Sequence, residues 1–268
     1  MNNMLTRAIA GAVFVTLLVF SILYNSYSFL GLFYFFMIVS VFEMSKMLQL
    51  KNTTVYIIAT LLFLLNSHLI PNYYHNYLEV IIVLAGLSLF IKQLFTLESN
   101  AIKELGASFL TLIYACLPFL FMIKIPFFKG TYEGIILLGL FILIWSNDTF
   151  AYLIGKSMGK HKLLERISPK KTIEGFVGGF IATMIVGYVL SIYFQVLSST
   201  QWMIIALIAS LFGVIGDLIA SMFKRLTGVK DTGKIIPGHG GIIDRLDSII
   251  FVAPFIYLYL KISLENVS

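Results

Sequence analysis

Nine apolar runs, near residues 8–25, 29–46, 53–70, 77–96, 105–125, 133–156, 173–195, 201–224 and 247–264, constrain this chain more than any other feature. Each approaches the ~20 residues needed to cross ~30 Å of hydrocarbon. Inside a bilayer a segment must satisfy its own backbone hydrogen bonds, and a helix does so within itself. The sequence therefore predicts an all-α, polytopic membrane helix bundle of about nine transmembrane helices, with the second and third runs short enough to tilt or re-enter. Composition agrees, because only 12% of residues are charged, against about 25% in an ordinary soluble domain. The first run is longer than the apolar core of a signal peptide, and no small-residue cleavage pattern follows it. It is expected to stay as a membrane helix. Residues 1–268 read as one integral membrane domain, with about 1–130 mainly scaffold and about 131–268 carrying the chemistry. The lone cysteine, Cys116, lies in an apolar run. It excludes a disulfide framework and reads as an inert packing thiol.

Loop charge orients the bundle. With the N-terminus inside, Arg7, Lys46, Lys51, Lys92 and Lys103 fall on the cytoplasmic side. Two later loops add Lys156, Lys160, Lys162, Arg166, Lys170 and Lys171, then Lys224, Arg225, Lys230, Lys234 and Arg245. Lys124, Lys129 and Lys261 fall outside, so the positive-inside rule favours this orientation. An integral, multi-pass protein of the cell's inner membrane is expected. The net charge of +6 is then explained by topology and by anionic lipid, and no nucleic-acid partner is implied.

Topology does not explain four carboxylates. Asp148, in WSNDTFAY, and Asp217, in FGVIGDLIA, lie about fifteen and sixteen residues from the outer ends of their runs. At ~1.5 Å per residue both reach roughly 22–24 Å down, into the cytoplasmic third of the hydrocarbon. Asp244 and Asp247 meet that level from the other side, because the uncharged stretch between Asp247 and Lys261 is too short to span. Isolated intramembrane acids are expensive and often serve helix–helix hydrogen bonding. Four at one depth, open to the cytoplasm, point instead to a site.

The stretch from Ser221 to Asp247, SMFKRLTGVKDTGKIIPGHGGIIDRLD, surrounds those acids with cations and glycines. Carboxylates can hold a divalent cation, Lys and Arg neutralise phosphate oxygens, and glycine lets backbone N–H groups come close. Asp217, Ser221, Lys224 and Arg225 are spaced i, i+4, i+7, i+8 on one helix face, with the acid deepest. Asp244 and Asp247 share a face at i, i+3, with Arg245 turned toward another partner. Gly238, Gly240 and Gly241 are expected to form a tight, phosphate-facing turn. His239 reads either as a donor to phosphate or base, or as a loop histidine bound to backbone. Asp231 reads as a partner of Lys230 or Lys234, or as a group that orients a ribose. Upstream, ISPKKTIEGFVGG suggests Ser168 as a helix N-cap with Pro169 at the first helical position. Lys170, Lys171 and Thr172 would then occupy the first turn, where cations oppose the helix dipole unless an anion shares the site. Glu174 is expected to pair with Lys170 or Lys171. Glu43, near the end of the second run, reads equally well as an acid paired with Lys46 at i+3.

The pattern S-M-F-K-R-x4-K-D-x-G-x2-I-P-G-H-G-G-I-x-D-R-L-D resembles the signature of the phosphatidate cytidylyltransferases, or CDP-diacylglycerol synthases. SPKKTIEG, NDTFAY and the Gly-Asp ahead of the signature are similar to the same family, as is an acid at Glu43. The resemblance implies transfer of CMP from CTP to phosphatidate, with Asp217 and Asp244 as metal ligands for Mg²⁺ and room for a second cation. Asp148 or Asp247 would stand in or just behind the ligand set. Lys224, Arg225, Lys230 and Arg245 would stabilise phosphoryl charge, and Lys170 and Lys171 would bind substrate phosphate. A homodimer is a further implication. Among rivals, a CTP-dependent polyprenol or dolichol kinase stays open, and a cation-coupled transporter is less favoured because no internal repeat is visible. No G-x4-G-K-[ST] phosphate loop occurs.

Overall fold

The protein is described from a computed structural model covering residues 3–71, 74–94 and 101–265. Residues 95 and 96 of the fourth apolar run, and the Lys92 side chain, lie outside the described set. The helices are α1 (Asn3–Tyr24), α2 (Ser26–Met47), α3 (Thr54–Asn66), α4 (His75–Leu94), α5 (Ala101–Ala115), α6 (Leu117–Lys124), α7 (Gly134–Met158), α8 (Ile173–Tyr193), α9 (Ser199–Leu226) and α10 (Ile243–Glu265). A short hairpin, β1 (Lys162–Leu164) and β2 (Ser168–Thr172), joins α7 to α8, paired in antiparallel register with Lys162 opposite Thr172 and Leu164 opposite Ser168.

The helical membrane bundle is as expected, and seven of the about nine spans are recognised among the described residues. Among the described residues seven helices are long and apolar enough to cross: α1, α2, the α5–α6 unit with its terminal 3-10 turn, α7, α8, α9 and α10. The second run is a full-length helix of 22 residues, whereas the third is a helix of only 13. Its ~20 Å falls short of ~30 Å of hydrocarbon. Pro118 explains the break between α5 and α6, since it lacks the N–H that would continue the ladder.

Small residues set the packing of the C-terminal half. Gly175, Gly178 and Gly179 of α8 lie against Ala151, Ile154 and Asn147 of α7, where any added Cβ would collide. Without a hydrophobic force between helices in lipid, such close approach is what gains dispersion contacts. Trp202 of α9 is fully buried and fills the space left at Gly139 of α7. Helix α9 begins with a capping box, Ser198 accepting from the Gln201 N–H at 3.2 Å and Gln201 accepting from the Ser198 N–H at 2.9 Å. Its 28 residues extend about 42 Å. That length exceeds ~30 Å of hydrocarbon and places Lys224 and Arg225 in its last turns, beyond Asp217. Cys116 is fully buried beside Met37, in keeping with an inert thiol.

Candidate active site

Depth and periodicity bring the four acids together. Asp148 from α7, Asp217 from α9, and Asp244 and Asp247 from the first turns of α10 all line one cavity of about 720 Å³. Its other wall is the hairpin and the start of α8, which contribute Ser168, Lys170, Lys171 and Thr172. Lys171 pairs with Asp217, Nζ to Oδ2 at 2.6 Å, and thus joins the hairpin to α9. Ser221 donates to Asp217 Oδ1 at 3.3 Å, as the i, i+4 spacing requires.

The hairpin corrects the expected helix start. Ser168 and Pro169 belong to strand β2, and the N-cap is Thr172, whose Oγ1 accepts from the Gly175 N–H at 3.2 Å. Lys170 and Lys171 therefore precede the helix, and Lys171 points to Asp217 without opposing the dipole. Thr172 is buried as a cap. Glu174 does not pair with either lysine. It accepts from the backbone N–H groups of Lys160 and His161 and lies 2.6 Å from His161 Nδ1, pinning the hairpin to α8. Two cations the sequence reading left out of the site, Lys156 and Lys162, also line the cavity. Lys156 stands at i+8 from Asp148, so the arithmetic that grouped Asp217 with Arg225 would have found it.

The loop before α10 is built around carboxylates. Asp244 Oδ1 accepts from Lys224 Nζ at 2.7 Å. Its Oδ2 accepts from the N–H groups of Thr232 at 2.7 Å and Gly241 at 2.9 Å. The Thr232 hydroxyl lies between two acids, 3.0 Å from Asp244 Oδ2 and 2.9 Å from Glu43 Oε2. Glu43, 1% exposed, also accepts from the Ile242 N–H at 2.9 Å and the Ile243 N–H at 3.0 Å. Both donors are orphan groups at the start of α10. The pairing of Glu43 with Lys46 is thereby replaced by a link from α2 to the loop.

Two of the glycines are shaped to this arrangement. Gly240 has φ +87° and stands where a Cβ would strike the Asp244 carboxylate. At Gly241 a Cβ would strike Glu43. Each glycine lets an acid reach backbone N–H groups.

The remaining loop residues stand away from the cavity lining. Arg245 donates through Nε and Nη2 to the His239 carbonyl, at 3.0 and 2.8 Å. The His239 ring rests against Gly11 of α1. Burial first, then the charges of Arg245 and Arg7, hold its pKa below the usual histidine value. It is therefore neutral at pH 7. Arg225 donates to the Ile167 carbonyl at 3.4 Å. Lys230, Asp231 and Lys234 are exposed, and the ion pairs found among the described residues include none of them.

Fold and cavity together define a polytopic membrane protein with an acid-and-cation site set into the bilayer near one face. The chain belongs to the cytidylyltransferase family, which it matches over residues 5–263. The phosphatidate cytidylyltransferase of Bacillus subtilis (strain 168) is 33% identical over 274 residues, spanning 98% of this chain and 99% of that protein. Those of Staphylococcus aureus (strain COL) and Staphylococcus saprophyticus subsp. saprophyticus are 42% and 41% identical over 182 residues, spanning 66% of this chain and 68% of each relative.

Proposed function

We propose that the protein transfers CMP from CTP to phosphatidate, forming CDP-diacylglycerol and pyrophosphate. The observation that carries this reading is the meeting of four carboxylates with Lys156, Lys162, Lys170 and Lys171 in one cavity. A lipid phosphate oxygen is already a nucleophile at neutral pH. It forms a bond to the α-phosphorus of CTP as the bond from that phosphorus to the bridging α–β oxygen breaks, and pyrophosphate leaves with the electron pair. No proton relay is needed, so rate comes from positioning and charge neutralisation. Lys170 and Lys171 are assigned to substrate phosphate, and Lys156 of α7 and Lys162 of the hairpin to the triphosphate. Lys224, Arg225, Lys230 and Arg245, which follow the acids in the same charged stretch, are proposed as stabilisers of phosphoryl charge.

The acids suit Mg²⁺. No three Asp, Glu, His or Cys side chains group tightly enough among the described residues to cage an ion by themselves. Mg²⁺ is commonly held by one or two carboxylates, with water and substrate phosphate completing the shell. Asp217 is the first choice of ligand, with Asp148 and Asp247 facing the same cavity. Asp244 joins as a ligand through Oδ1 if Lys224 yields that oxygen; its Oδ2 is committed to the loop. When bound, the cation offsets negative charge on the phosphate oxygens. A second cation and a homodimer remain part of the proposal.

Purified, detergent-solubilised protein, with no gradient and no sealed compartment, is expected to release one pyrophosphate per CDP-diacylglycerol, and only with a divalent cation present. Absence of pyrophosphate from folded protein would contradict the reading. The distribution of Lys and Arg supports placement in the inner membrane with the cavity open to the cytoplasm. Glu165 is exposed in the hairpin. In intact cells a Glu165→Cys reporter is expected to resist an impermeant maleimide until the cells are opened. Labelling before lysis would reverse the orientation. Cys116 can stay in place because it is fully buried.

A further inference from the structure

A second polar cavity, of about 640 Å³, lies between the ends of α3, α4, α6 and α10. It lies at the other end of α10 from the candidate active site. Lys261, on its rim, follows Asp244 along α10 by seventeen residues, or about 25 Å. Two lysines share its lining, Lys124 from the end of α6 and Lys261 from the end of α10. Lys124 Nζ stands 5.8 Å from the centre of the Tyr257 ring, and Glu79 is the one carboxylate in the lining. Two lysines thus face a single carboxylate in the lining.

Two histidines complete the polar wall. His68 has φ 59°, a left-handed conformation uncommon for a residue with a Cβ, and its ring lies 5.1 Å from that of Phe127. His75 Nε2 is 3.3 Å from the Ile70 carbonyl, which leaves the opposite ring edge for another partner. Like charges brought together at a low-dielectric boundary are stabilised when an anion joins them. The volume equals about twenty water molecules at ~30 Å³ each. That is more than a bare oxyanion fills, and Phe127, Phe128 and Tyr257 give an apolar side for a glycerol or acyl stem.

We propose that this cavity binds phosphate, and specifically the phosphodiester of an anionic phospholipid headgroup in the leaflet opposite the active site. Lys124 and Lys261 hold the oxyanion, and His68 and His75 supply ring hydrogen bonds. Nothing in the proposed CMP transfer uses this site.

The test uses full-length protein in detergent micelles doped with phosphatidylglycerol or phosphatidylcholine, reading the unfolding midpoint against lipid fraction. Phosphatidylglycerol is expected to raise the midpoint and phosphatidylcholine to leave it unchanged. In Lys124→Gln/Lys261→Gln, half-saturation by phosphatidylglycerol should need roughly thirtyfold more lipid, given about 1 kcal/mol for each of the two cations near an anionic surface. Lys124→Arg/Lys261→Arg should retain the response. The same titration on Asp217→Asn should match the wild type, which separates this site from lipid entering the active cavity. The double Gln variant should form CDP-diacylglycerol in phosphatidylcholine micelles within about twofold of wild type, a check that it is folded. If it does not fold, Lys261→Gln alone, at an exposed position, should shift the titration in the same direction. Inorganic phosphate at matched ionic strength provides the second arm. A Lys-dependent rise with phosphate alone supports the oxyanion site and assigns it to the soluble anion. A phosphatidylglycerol titration unchanged in the folded Gln variants overturns the proposal.

Discussion

Asp217→Asn is expected to lower turnover by roughly 10²–10³-fold while leaving the unfolding midpoint close to wild type. The side chain keeps its shape, and the groups it loses are one ion pair with Lys171 and a long hydrogen bond from Ser221, both at the edge of an open cavity. Partly exposed pairs of this kind contribute little to stability. The proposed role does depend on charge, since a neutral amide is a poor ligand for a hard cation. Asp244→Asn should behave differently. It too should lose turnover, but an amide nitrogen in place of either oxygen faces an N–H or an ammonium donor. A stability loss of about 1–3 kcal/mol is expected in addition. Lys171→Ala should raise KM more than it lowers kcat if that lysine holds a ground-state phosphate. Near-normal turnover in a folded Asp217→Asn at ordinary magnesium would remove the acid from the site.

Glu43→Gln is expected to lower kcat by roughly 10–100-fold, the range seen when outer-shell partners of a metal site are changed. Its two oxygens receive the Ile242 and Ile243 N–H groups separately, and Thr232 adds a hydroxyl. Glutamine supplies one accepting oxygen and turns a donor toward one of those donors. The cost is about 1–3 kcal/mol of stability. The effect on rate would come through position, because Thr232 and Gly241 hold Asp244 as well. A merely structural residue would lower the midpoint and leave kcat intact at temperatures where the variant is folded. Measuring kcat, KM and the midpoint on one preparation separates the two. An unchanged kcat would confine Glu43 to stability.

Legibility in the sequence followed the strength of each physical constraint. Apolar length and the cost of intramembrane charge placed Asp148, Asp217, Asp244 and Asp247 at one depth, and they line one cavity. The i, i+4 face joining Asp217 to Ser221 was equally readable, since helix geometry leaves little choice. The shortness of the third run was readable too, and its helix is thirteen residues long, whereas the second run, read as equally short, forms a helix of 22. Ser168-Pro169 carries the local chemistry of a helix start, yet its backbone pairs with β1 and the cap falls to Thr172. Local preference yielded there to a tertiary contact, the pinning of the hairpin by Glu174. Glu43 was the hardest residue to place. Its donors lie about two hundred positions away, and no periodicity connects α2 to the glycines of the loop. The glycine-rich turn was read as facing a phosphate, and what the sequence did not show is that its Gly241 N–H donates to Asp244.

The most direct measurement of the central claim follows the two labels of CTP separately. Purified protein is incubated with phosphatidate, Mg²⁺ and CTP carrying label at either the α or the γ phosphorus, and the lipid is extracted. Attack at the α-phosphorus sends the α label into lipid and the γ label into pyrophosphate, and both transfers should fall together in Asp217→Asn. Label from the γ position in the lipid, with CDP released, would identify a kinase instead. No label in lipid from folded, magnesium-supplied protein would contradict CMP transfer at this cavity.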